Sequence, residues 1–408
     1  MKAVVWHGIG DVRLDDVADP RVQEPTDAVV RITTSAICGT DLHFVRGTMP
    51  GMVEGTVLGH EAVGVVEEVG AGVRNLEPGT RVVIGSTISC GSCPPCRRAD
   101  YSQCDNANPN GPQAGTAFFG GPRATGPFNG LQAEYARIPY ANVIAVPVPE
   151  GVTDEQAVTV SDIFPTAWFG AQLADVRPGA VVAVFGLGPV GQFAVVSALL
   201  QGAARVIAVD AHPSRLATAR RLGAEVVDFS REDPAQVLLD LTGGVGPDSV
   251  IDCVGVESER PKTGPGAQAV ADQSDELDAA RDQSAPQTNV QPSSGGQLWR
   301  PGDAPSLASQ WAVQTVRKAG TIGVVGVYPP HFQTYPFGAA FNKNLTIRTG
   351  NCPHRRYVPE LLRLVASGVV DPSTVISQDE PLSDALSAYE HFDRRDAGWV
   401  KTTLTPGL

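Results

Sequence analysis

The sequence of 408 residues lacks long apolar runs and is poor in positive charge. It contains no run of about 18 apolar residues and no charged-then-apolar leader, so we expect neither a membrane span nor a signal peptide. Lys and Arg number 31 against 44 Asp and Glu, and the resulting net charge of −13 disfavours nucleic acid and anionic membranes as partners. These deficits favour a cytoplasmic protein that acts on a small molecule.

The seven cysteines do not resemble the framework of a small, disulfide-rich secreted protein. Four of them lie in SCGSCPPCRRADYSQC, residues 89–104, at positions Cys90, Cys93, Cys96 and Cys104. This spacing lets a short loop bring four thiolates to the corners of a tetrahedron, which is the geometry of a closed structural zinc site. The alternative is a group of incidental or reactive cysteines. Because four thiolates would fill the coordination shell, this metal would not be the catalyst.

Hydrophobic patterning divides the chain into an all-β part and an alternating α/β part. Over residues 1–162, short β-branched runs such as EAVGVVEEVG are cut by Gly and Pro turns, which predicts a barrel-like domain with the zinc lobe at 89–105. Over 163–345, runs such as AVVAVFGLG and RVIAVDA alternate with helical segments, which predicts a doubly wound parallel sheet. Residues 346–408 are too few for a domain of their own, and we expect them to complete the first one.

An insertion over residues 256–309 interrupts the second part of the chain. One helix would be enough to connect the flanking strands, yet the segment is long and rich in Pro, Gly, Ser, Gln and Asp. Its part GAQAVADQSDELDAARDQ is compatible with helix, whereas SAPQTNVQPSSGGQ has the composition of a mobile loop. Since the insertion leaves the carboxyl edge of the sheet, it is either a lid near the adenosine that slows nucleotide release or a plain surface loop.

A glycine-rich turn in FGLGPVGQFAVVSALL joins a predicted strand to a predicted helix. Glycines at this spacing allow a tight turn and the close approach of a pyrophosphate to the helix N terminus. The Asp210 carboxylate, at the end of the next strand, can accept both ribose hydroxyls and would repel a 2′-phosphate, which favours NAD over NADP. Arg215 either lines the adenosine pocket or is a solvated helix residue. The candidate cofactor-binding residues are Gly186, Gly188, Pro189, Val190, Gly191, Asp210 and Arg215.

Two short motifs supply candidate ligands for a second metal. ICGTDLH contains Cys38, and LGHEAVGVV contains His60 followed by Glu61. A thiolate and an imidazole on neighbouring strand ends are suitable zinc ligands, with a carboxylate beside them. Each residue alone is ambiguous, because an isolated cysteine is often a small apolar residue of the core, and an isolated histidine is often a polar residue whose hydrogen bonds are satisfied.

Taken in order and spacing, these motifs resemble the zinc-dependent medium-chain dehydrogenases. CGTDLH, GHEAVGVVEEVGAGV, the four-cysteine lobe and GLGPVG together span nearly the whole chain. SDIFPTAWFGA and YPFGAAFNK are similar to the glutathione-independent formaldehyde dehydrogenases of that family and their less characterised relatives. The resemblance implies an α/β protein with a β-rich, GroES-like catalytic domain and a Rossmann domain. It also implies two zinc ions per chain, NAD as the cofactor, and a homo-oligomer, either a dimer or a tetramer.

The resemblance also assigns roles to residues. Cys38, His60 and Asp162 would bind the catalytic zinc, with Glu61 as an alternate or neighbouring carboxylate, and the four-cysteine lobe would bind the structural zinc. Many alcohol dehydrogenases of the family have a cysteine where this chain has Asp162. Because a carboxylate donates less charge than a thiolate, the metal should polarise a bound oxygen more strongly.

Two residues near Cys38 are candidates for proton transfer. Thr40 has a hydroxyl that can both donate and accept a hydrogen bond, and the resemblance assigns the next step toward solvent to His43. The alternative for His43 is a surface histidine after a turn.

The sequence therefore predicts an enzyme that transfers a hydride between NAD and an alcohol or a hydrated aldehyde, formaldehyde among the candidates. One alternative is a polyol or amino-alcohol dehydrogenase on the same scaffold. Another is a zinc-stabilised, nucleotide-binding redox sensor without turnover, which the set of Cys38, His60, Asp162 and Thr40 disfavours.

Overall fold

The computed structural model describes residues 1–126, 128–284 and 299–407. The chain divides into two compact units. Unit 1 comprises Met1–Pro165, Asn351–Leu408 and the segment Val290–Trp299, of which Trp299 is described. Unit 2 comprises Thr166–Asn289 and Arg300–Gly350.

The secondary structure follows the chain in this order. The β-strands are β1 (Lys2–Gly8), β2 (Asp11–Asp16), β3 (Ala28–Ile37), β4 (Thr56–Val57), β5 (Ala62–Val69), β6 (Arg81–Ile84), β7 (Tyr135–Ile138), β8 (Ala145–Pro147), β9 (Val181–Phe185), β10 (Arg205–Asp210), β11 (Glu225–Asp228), β12 (Ser249–Asp252), β13 (Thr321–Val324), β14 (Thr346–Thr349), β15 (Gln378–Pro381) and β16 (Thr402–Thr405). The α-helices are α1 (Gly39–Arg46), α2 (Pro94–Arg97), α3 (Ala141–Ile144), α4 (Asp154–Ser161), α5 (Ile163–Leu173), α6 (Pro189–Leu200), α7 (Pro213–Arg221), α8 (Pro234–Leu241), α9 (Gly264–Val270), α10 (Ser274–Ser284), α11 (Leu307–Thr315), α12 (Phe337–Asn342), α13 (His354–Ala366) and α14 (Ala385–Arg394). Among the helices of the described ranges, none has both the length and the apolar character needed to cross a membrane.

Unit 1 is built around a mixed sheet with the strand order β15-β16-β3-β5-β6-β8, in which β7 also pairs with β3. A smaller sheet has the order β2-β1-β4. β3 is the longest strand and is mostly buried, because it pairs with β5, β7 and β16 and packs its apolar residues into the core. The β-rich domain predicted from the sequence is confirmed.

Unit 2 contains a parallel sheet with the order β11-β10-β9-β12-β13-β14. The strand order steps outward from β9 in both directions, as in a doubly wound fold. β9, with the sequence VVAVF, is buried along almost its whole length, which explains its continuous apolar run. The parallel, doubly wound sheet predicted from the alternation of strands and helices is confirmed.

The predicted insertion contributes helices to unit 2. The segment GAQAVADQSDELDAARDQ is helical as predicted, since it spans α9, a short 3-10 turn and α10. Val270, Leu277 and Ala280 are buried, and Val270 and Leu277 belong to the same core as Phe185 and Trp311. The loop predicted at SAPQTNVQPSSGGQ falls almost entirely on residues 285–298, which lie outside the described residues.

Candidate active site

Strand register brings the candidate ligands of the second metal together. In the sheet of unit 1, Ser35 pairs with Ala62 and Ile37 pairs with Thr402. The chain just before β5 therefore runs beside the end of β3, which places His60 and Glu61 next to Cys38. Lys401, just before β16, reaches the same place.

Asp162 joins this group through the residue that precedes it. Ser161 is the last residue of α4, and its hydroxyl donates to the carbonyl of Ile84 at 2.6 Å and accepts from the backbone N–H of Ala62 at 3.1 Å. These two bonds tie the end of α4 to β5 and β6. Asp162 follows with a non-helical backbone conformation, between α4 and α5, and its side chain points into the site.

Cys38, His60, Glu61 and Asp162 form one buried cluster in which one potential ligand atom from each lies within 4.8 Å of the others. Asp162 Oδ2 is 3.4 Å from His60 Nε2 and 3.8 Å from Cys38 Sγ. Glu61 Oε1 is buried and has no hydrogen-bond partner in the described part of the chain. The cluster thus offers one thiolate, one imidazole and two carboxylates, and the Glu61 carboxylate keeps one buried oxygen without a hydrogen-bond partner among the described residues. This donor set matches that of a zinc site with an open position.

One carboxylate, Asp41, and one lysine, Lys401, hold this cluster from outside. Asp41 accepts from the backbone N–H of Cys38 at 3.0 Å through Oδ2, while its Oδ1 lies 3.2 Å from His60 Nδ1. Such a partner on the second ring nitrogen fixes the orientation of a metal-binding histidine. Lys401 Nζ lies 2.5 Å from Glu61 Oε2 and donates to the carbonyl of Ile37 at 2.9 Å. Burial alone would lower the pKa of Lys401, but the Glu61 carboxylate raises it.

His354 lies against Asp162, with its Nε2 2.6 Å from Asp162 Oδ1. Burial alone would raise the pKa of Asp162, but hydrogen bonds from His354 and His60 hold it well below its usual range. Sequence reasoning did not single out His354, Lys401 or Asp41. Asp41 stands in the quoted motif ICGTDLH, three residues after Cys38, and a capping-box pattern could have drawn attention to it.

The two candidate proton-transfer residues lie on α1. Thr40 is partly exposed in the first turn of the helix, one residue after its start. His43 is buried, only 3% exposed, and its Nδ1 lies 2.8 Å from Thr48 Oγ1. The alternative of a surface histidine after a turn is therefore wrong. Burial follows because the inner face of α1 packs into the core with Leu42, Phe44 and Val45.

The four cysteines of the lobe come together as the spacing predicts. One sulfur from each of Cys90, Cys93, Cys96 and Cys104 lies within 4.8 Å of the others. The backbone N–H of Cys90 points at Cys104 Sγ at 3.3 Å, and the N–H of Ser92 points at Cys90 Sγ at 3.4 Å. Burial alone would raise the pKa of Cys90, but hydrogen bonds from Ser92 and from the Cys93 backbone lower it to about 6. Sulfurs that accept backbone N–H groups are prepared to bind a metal as thiolates.

The glycine-rich turn links β9 to α6 in unit 2. Gly186 adopts a φ of 82°, a left-handed conformation that favours glycine. A Cβ at Gly191 would collide with the carbonyl oxygen of Gly186, so the helix can pack this closely only without a side chain there. A Cβ at Gly188 would meet no heavy atom of the described residues within 4 Å, which leaves the space above the turn open. Pro189 and Val190 form the first turn of α6 after this opening.

Asp210 ends β10 beside the glycine turn. Its carboxylate is buried and accepts from the backbone N–H groups of Leu187 at 2.7 Å, Ala211 at 2.7 Å and His212 at 2.8 Å. Arg215 Nη1 lies 3.8 Å from Asp210 Oδ2, and the Arg215 side chain is 15% exposed. Arg215 is therefore not a solvated helix residue, because its guanidinium is turned inward toward Asp210.

Comparison with known proteins agrees with this combination of a β-rich unit, a Rossmann-type sheet and two candidate metal-binding clusters. Residues 24–149 match the alcohol dehydrogenase GroES-like domain, and residues 189–261 match the zinc-binding dehydrogenase domain. The chain is 37% identical to the uncharacterized zinc-type alcohol dehydrogenase-like protein AdhB of Bacillus subtilis, with 100% of both chains covered. It is 32% identical to the glutathione-independent formaldehyde dehydrogenase of Pseudomonas aeruginosa, covering 83% of this chain and 79% of that protein.

A solved structure extends the similarity to three dimensions. The alcohol dehydrogenase TADH from Thermus sp. ATN1 superposes with a TM-score of 0.79 at 33% identity, with 100% of both chains covered. The class is thus that of zinc-type oxidoreductases with a GroES-like and a Rossmann-type domain. The chain belongs to the zinc-type alcohol dehydrogenase family, and the resemblance inferred from the motifs is confirmed.

Proposed function

We propose that the chain transfers a hydride between NAD and an alcohol or a hydrated aldehyde, at a zinc ion held by Cys38, His60 and Asp162. The observation that carries the proposal is the buried cluster in which these residues and Glu61 bring their ligand atoms within 4.8 Å of one another. A lobe of four thiolates has no open position, so the other cluster is the site for chemistry. A second, structural zinc belongs to Cys90, Cys93, Cys96 and Cys104.

Zinc bound in the cluster would supply a positive charge that favours loss of a proton from the substrate hydroxyl. The protein residues then have to orient the substrate and remove that proton. Thr40 lies in the first turn of α1, two residues after Cys38, and its hydroxyl can accept one proton while it donates another. His43 follows one turn later on the same helix, and Thr48 holds its Nδ1. This order supports a proton path from Thr40 to His43.

The cofactor proposal rests on Asp210. Its buried carboxylate lies beside the glycine turn, and a 2′-phosphate placed there would meet like charge in a partly desolvated site. Arg215 offers a positive charge close by, but it is already directed at Asp210. NAD is therefore the proposed cofactor. The similarity to a glutathione-independent formaldehyde dehydrogenase supports a short hydrated aldehyde as one candidate substrate.

The proposal is tested by metal analysis together with NADH formation from a panel of short alcohols, polyols, amino alcohols and aldehydes. We expect two zinc ions per chain and turnover that prefers NAD over NADP. Asp162→Asn should lose one zinc and about 100-fold or more in kcat/KM, because a ligand is weakened. Asp19→Asn, at a side chain 74% exposed, is the matched control and should behave as the unmodified protein.

Three results would contradict parts of the proposal. One zinc per chain, unchanged by Cys38→Ser, would remove the catalytic metal. Equal kcat/KM with NAD and NADP would remove the role of Asp210 in cofactor choice. Absence of turnover across the panel, with both zinc ions present, would favour a nucleotide-binding sensor.

A further inference from the structure

The two oxygens of Asp162 face different neighbours. Oδ2 lies toward the cluster, 3.4 Å from His60 Nε2 and 3.8 Å from Cys38 Sγ. Oδ1 points away from it, toward His354 Nε2 at 2.6 Å. A carboxylate that is free to rotate could offer either oxygen or both to a metal, so a firm partner on Oδ1 leaves Oδ2 as the oxygen available to a ligand site.

His354 is itself held in place at both ring nitrogens. It begins α13, is 3% exposed, and its Nδ1 lies 3.1 Å from Thr87 Oγ1. Thr87 Oγ1 is also 3.4 Å from the carbonyl oxygen of Cys352, just before the helix. α13 packs against α4, the helix that ends just before Asp162. The imidazole therefore has little freedom to turn away from the carboxylate.

We infer that His354 is a positioning residue that fixes Asp162 as a one-oxygen ligand of the metal site. The inference rests on the proposed zinc site, and His354 acts through Asp162 without touching substrate. In metal sites where a histidine is the ligand, a carboxylate usually orients it from behind. Here the roles are exchanged, because the carboxylate is the ligand and a histidine holds it. Loss of such an outer partner typically costs 10–100-fold in metal affinity or activity.

The test measures how fast zinc leaves the purified, full-length protein when a chromophoric chelator is added in excess. His354→Leu removes the donor, and we expect the catalytic zinc to be released about 10–100-fold faster. His354→Gln keeps an N–H group that can reach Asp162 and should restore most of the slow release. The zinc of the four-cysteine lobe is an internal reference and should leave at an unchanged rate. After replacement of the catalytic zinc by Co²⁺, the d–d absorption bands should shift in His354→Leu and return toward the original in His354→Gln.

A second histidine provides a matched control. His7 Nε2 lies 2.7 Å from Asp15 Oδ2, a pair of similar length that does not belong to the cluster. His7→Leu should leave zinc release and the Co²⁺ spectrum unchanged. If His354→Leu does not fold, Thr87→Val tests the same positioning of His354, because it removes the partner of His354 Nδ1. It should speed zinc release less than His354→Leu is expected to.

The outcomes separate this inference from the proposed function. If Cys38→Ser retains both zinc ions, the proposed catalytic site itself is wrong. If Cys38→Ser loses one zinc while His354→Leu, or Thr87→Val in its place, releases zinc at the original rate with an unchanged Co²⁺ spectrum, the site stands and the positioning role of His354 is overturned.

Discussion

Glu61 and Asp162 are two buried carboxylates in one cluster, and they differ in what holds them. Asp162 is held by the imidazole of His354, whereas Glu61 is held by the ammonium group of Lys401. Both side chains of the Glu61–Lys401 pair are fully buried, at 0% exposure. A buried ion pair contributes little compared with an apolar pair, but breaking it leaves an uncompensated charge.

Lys401→Met should therefore destabilise the protein strongly, by about 3–5 kcal/mol in the free energy of unfolding. Adding Glu61→Gln to the same variant should recover much of that loss, because the remaining buried charge is removed. Urea denaturation measures both effects. Lys2→Met is the matched control, since Lys2 pairs with Asp16 at the surface and should be nearly neutral. Equal, small effects of Lys401→Met and Lys2→Met would contradict the account of Glu61 as a charged partner.

Local motifs allowed part of the site to be predicted from the sequence. Cys38, His60 and the four lobe cysteines stand in short patterns whose spacing carries the chemistry. His354 and Lys401 stand in no such pattern. They reach the cluster only because α13 packs on α4 and because β16 pairs with β3. His354 and Asp162 are separated by 192 residues in the sequence, and Lys401 and Glu61 by 340. Motifs of neighbouring residues therefore could not predict that these side chains are in contact.

At the scale of elements, the β9–α6 turn contains two glycines that differ in the space available for a side chain. Gly191 has no room for a side chain, because a Cβ would collide with the Gly186 carbonyl. Gly188 has a φ of −61°, which any residue can adopt, and open space around it. The fold therefore requires a glycine at position 191, whereas Gly188 leaves space that a pyrophosphate could use.

Alanine at these two positions should separate folding from nucleotide binding. Gly191→Ala should lower thermal stability and weaken NADH binding together, since the turn has to open. Gly188→Ala should change the free energy of unfolding by no more than about 1 kcal/mol, yet it should weaken NADH binding at least tenfold. Thermal unfolding and fluorescence titration with NADH give the two readouts. Unchanged NADH affinity in Gly188→Ala would show that the phosphates do not lie on this turn.

Element types were predictable because the chain switches its hydrophobic period where the fold changes. Short β-branched runs such as VVAVF, alternating with helical segments, favour buried strands of a parallel sheet, and β9 through β13 appear where such runs occur. The insertion was harder to interpret, because its composition is polar and loop-like. The structure shows that a few apolar residues, Val270 and Leu277 among them, are enough to anchor its helices.

At the scale of the whole molecule, the chemistry is divided between the two units. Both cysteine-containing clusters belong to unit 1, and the glycine turn belongs to unit 2. The start of the insertion, in unit 2, approaches the proposed nucleotide-binding residues: Glu259 Oε2 lies 3.8 Å from His212 Nε2, two residues after Asp210. Thr263 donates to the carbonyl of Ser230, after β11, at 3.0 Å. The insertion is therefore anchored near its start beside the proposed adenosine site and, through Leu277 of α10, in the core of unit 2.

The predicted role of the insertion as a lid that slows nucleotide release can therefore be tested separately from its contribution to the core of unit 2. Leu277→Ala should cost about 2–5 kcal/mol, because a fully buried leucine leaves a cavity. If the packed helix restrains the segment beside Asp210, the same variant should also release NAD faster, as measured by rapid mixing and by assaying nicotinamide dinucleotide that remains after desalting. Asp275→Ala, an exposed position on the same helix, should alter neither quantity appreciably. A large loss of stability with unchanged NAD release would mean that the helices of the insertion complete the core of unit 2 and have no part in retaining the cofactor.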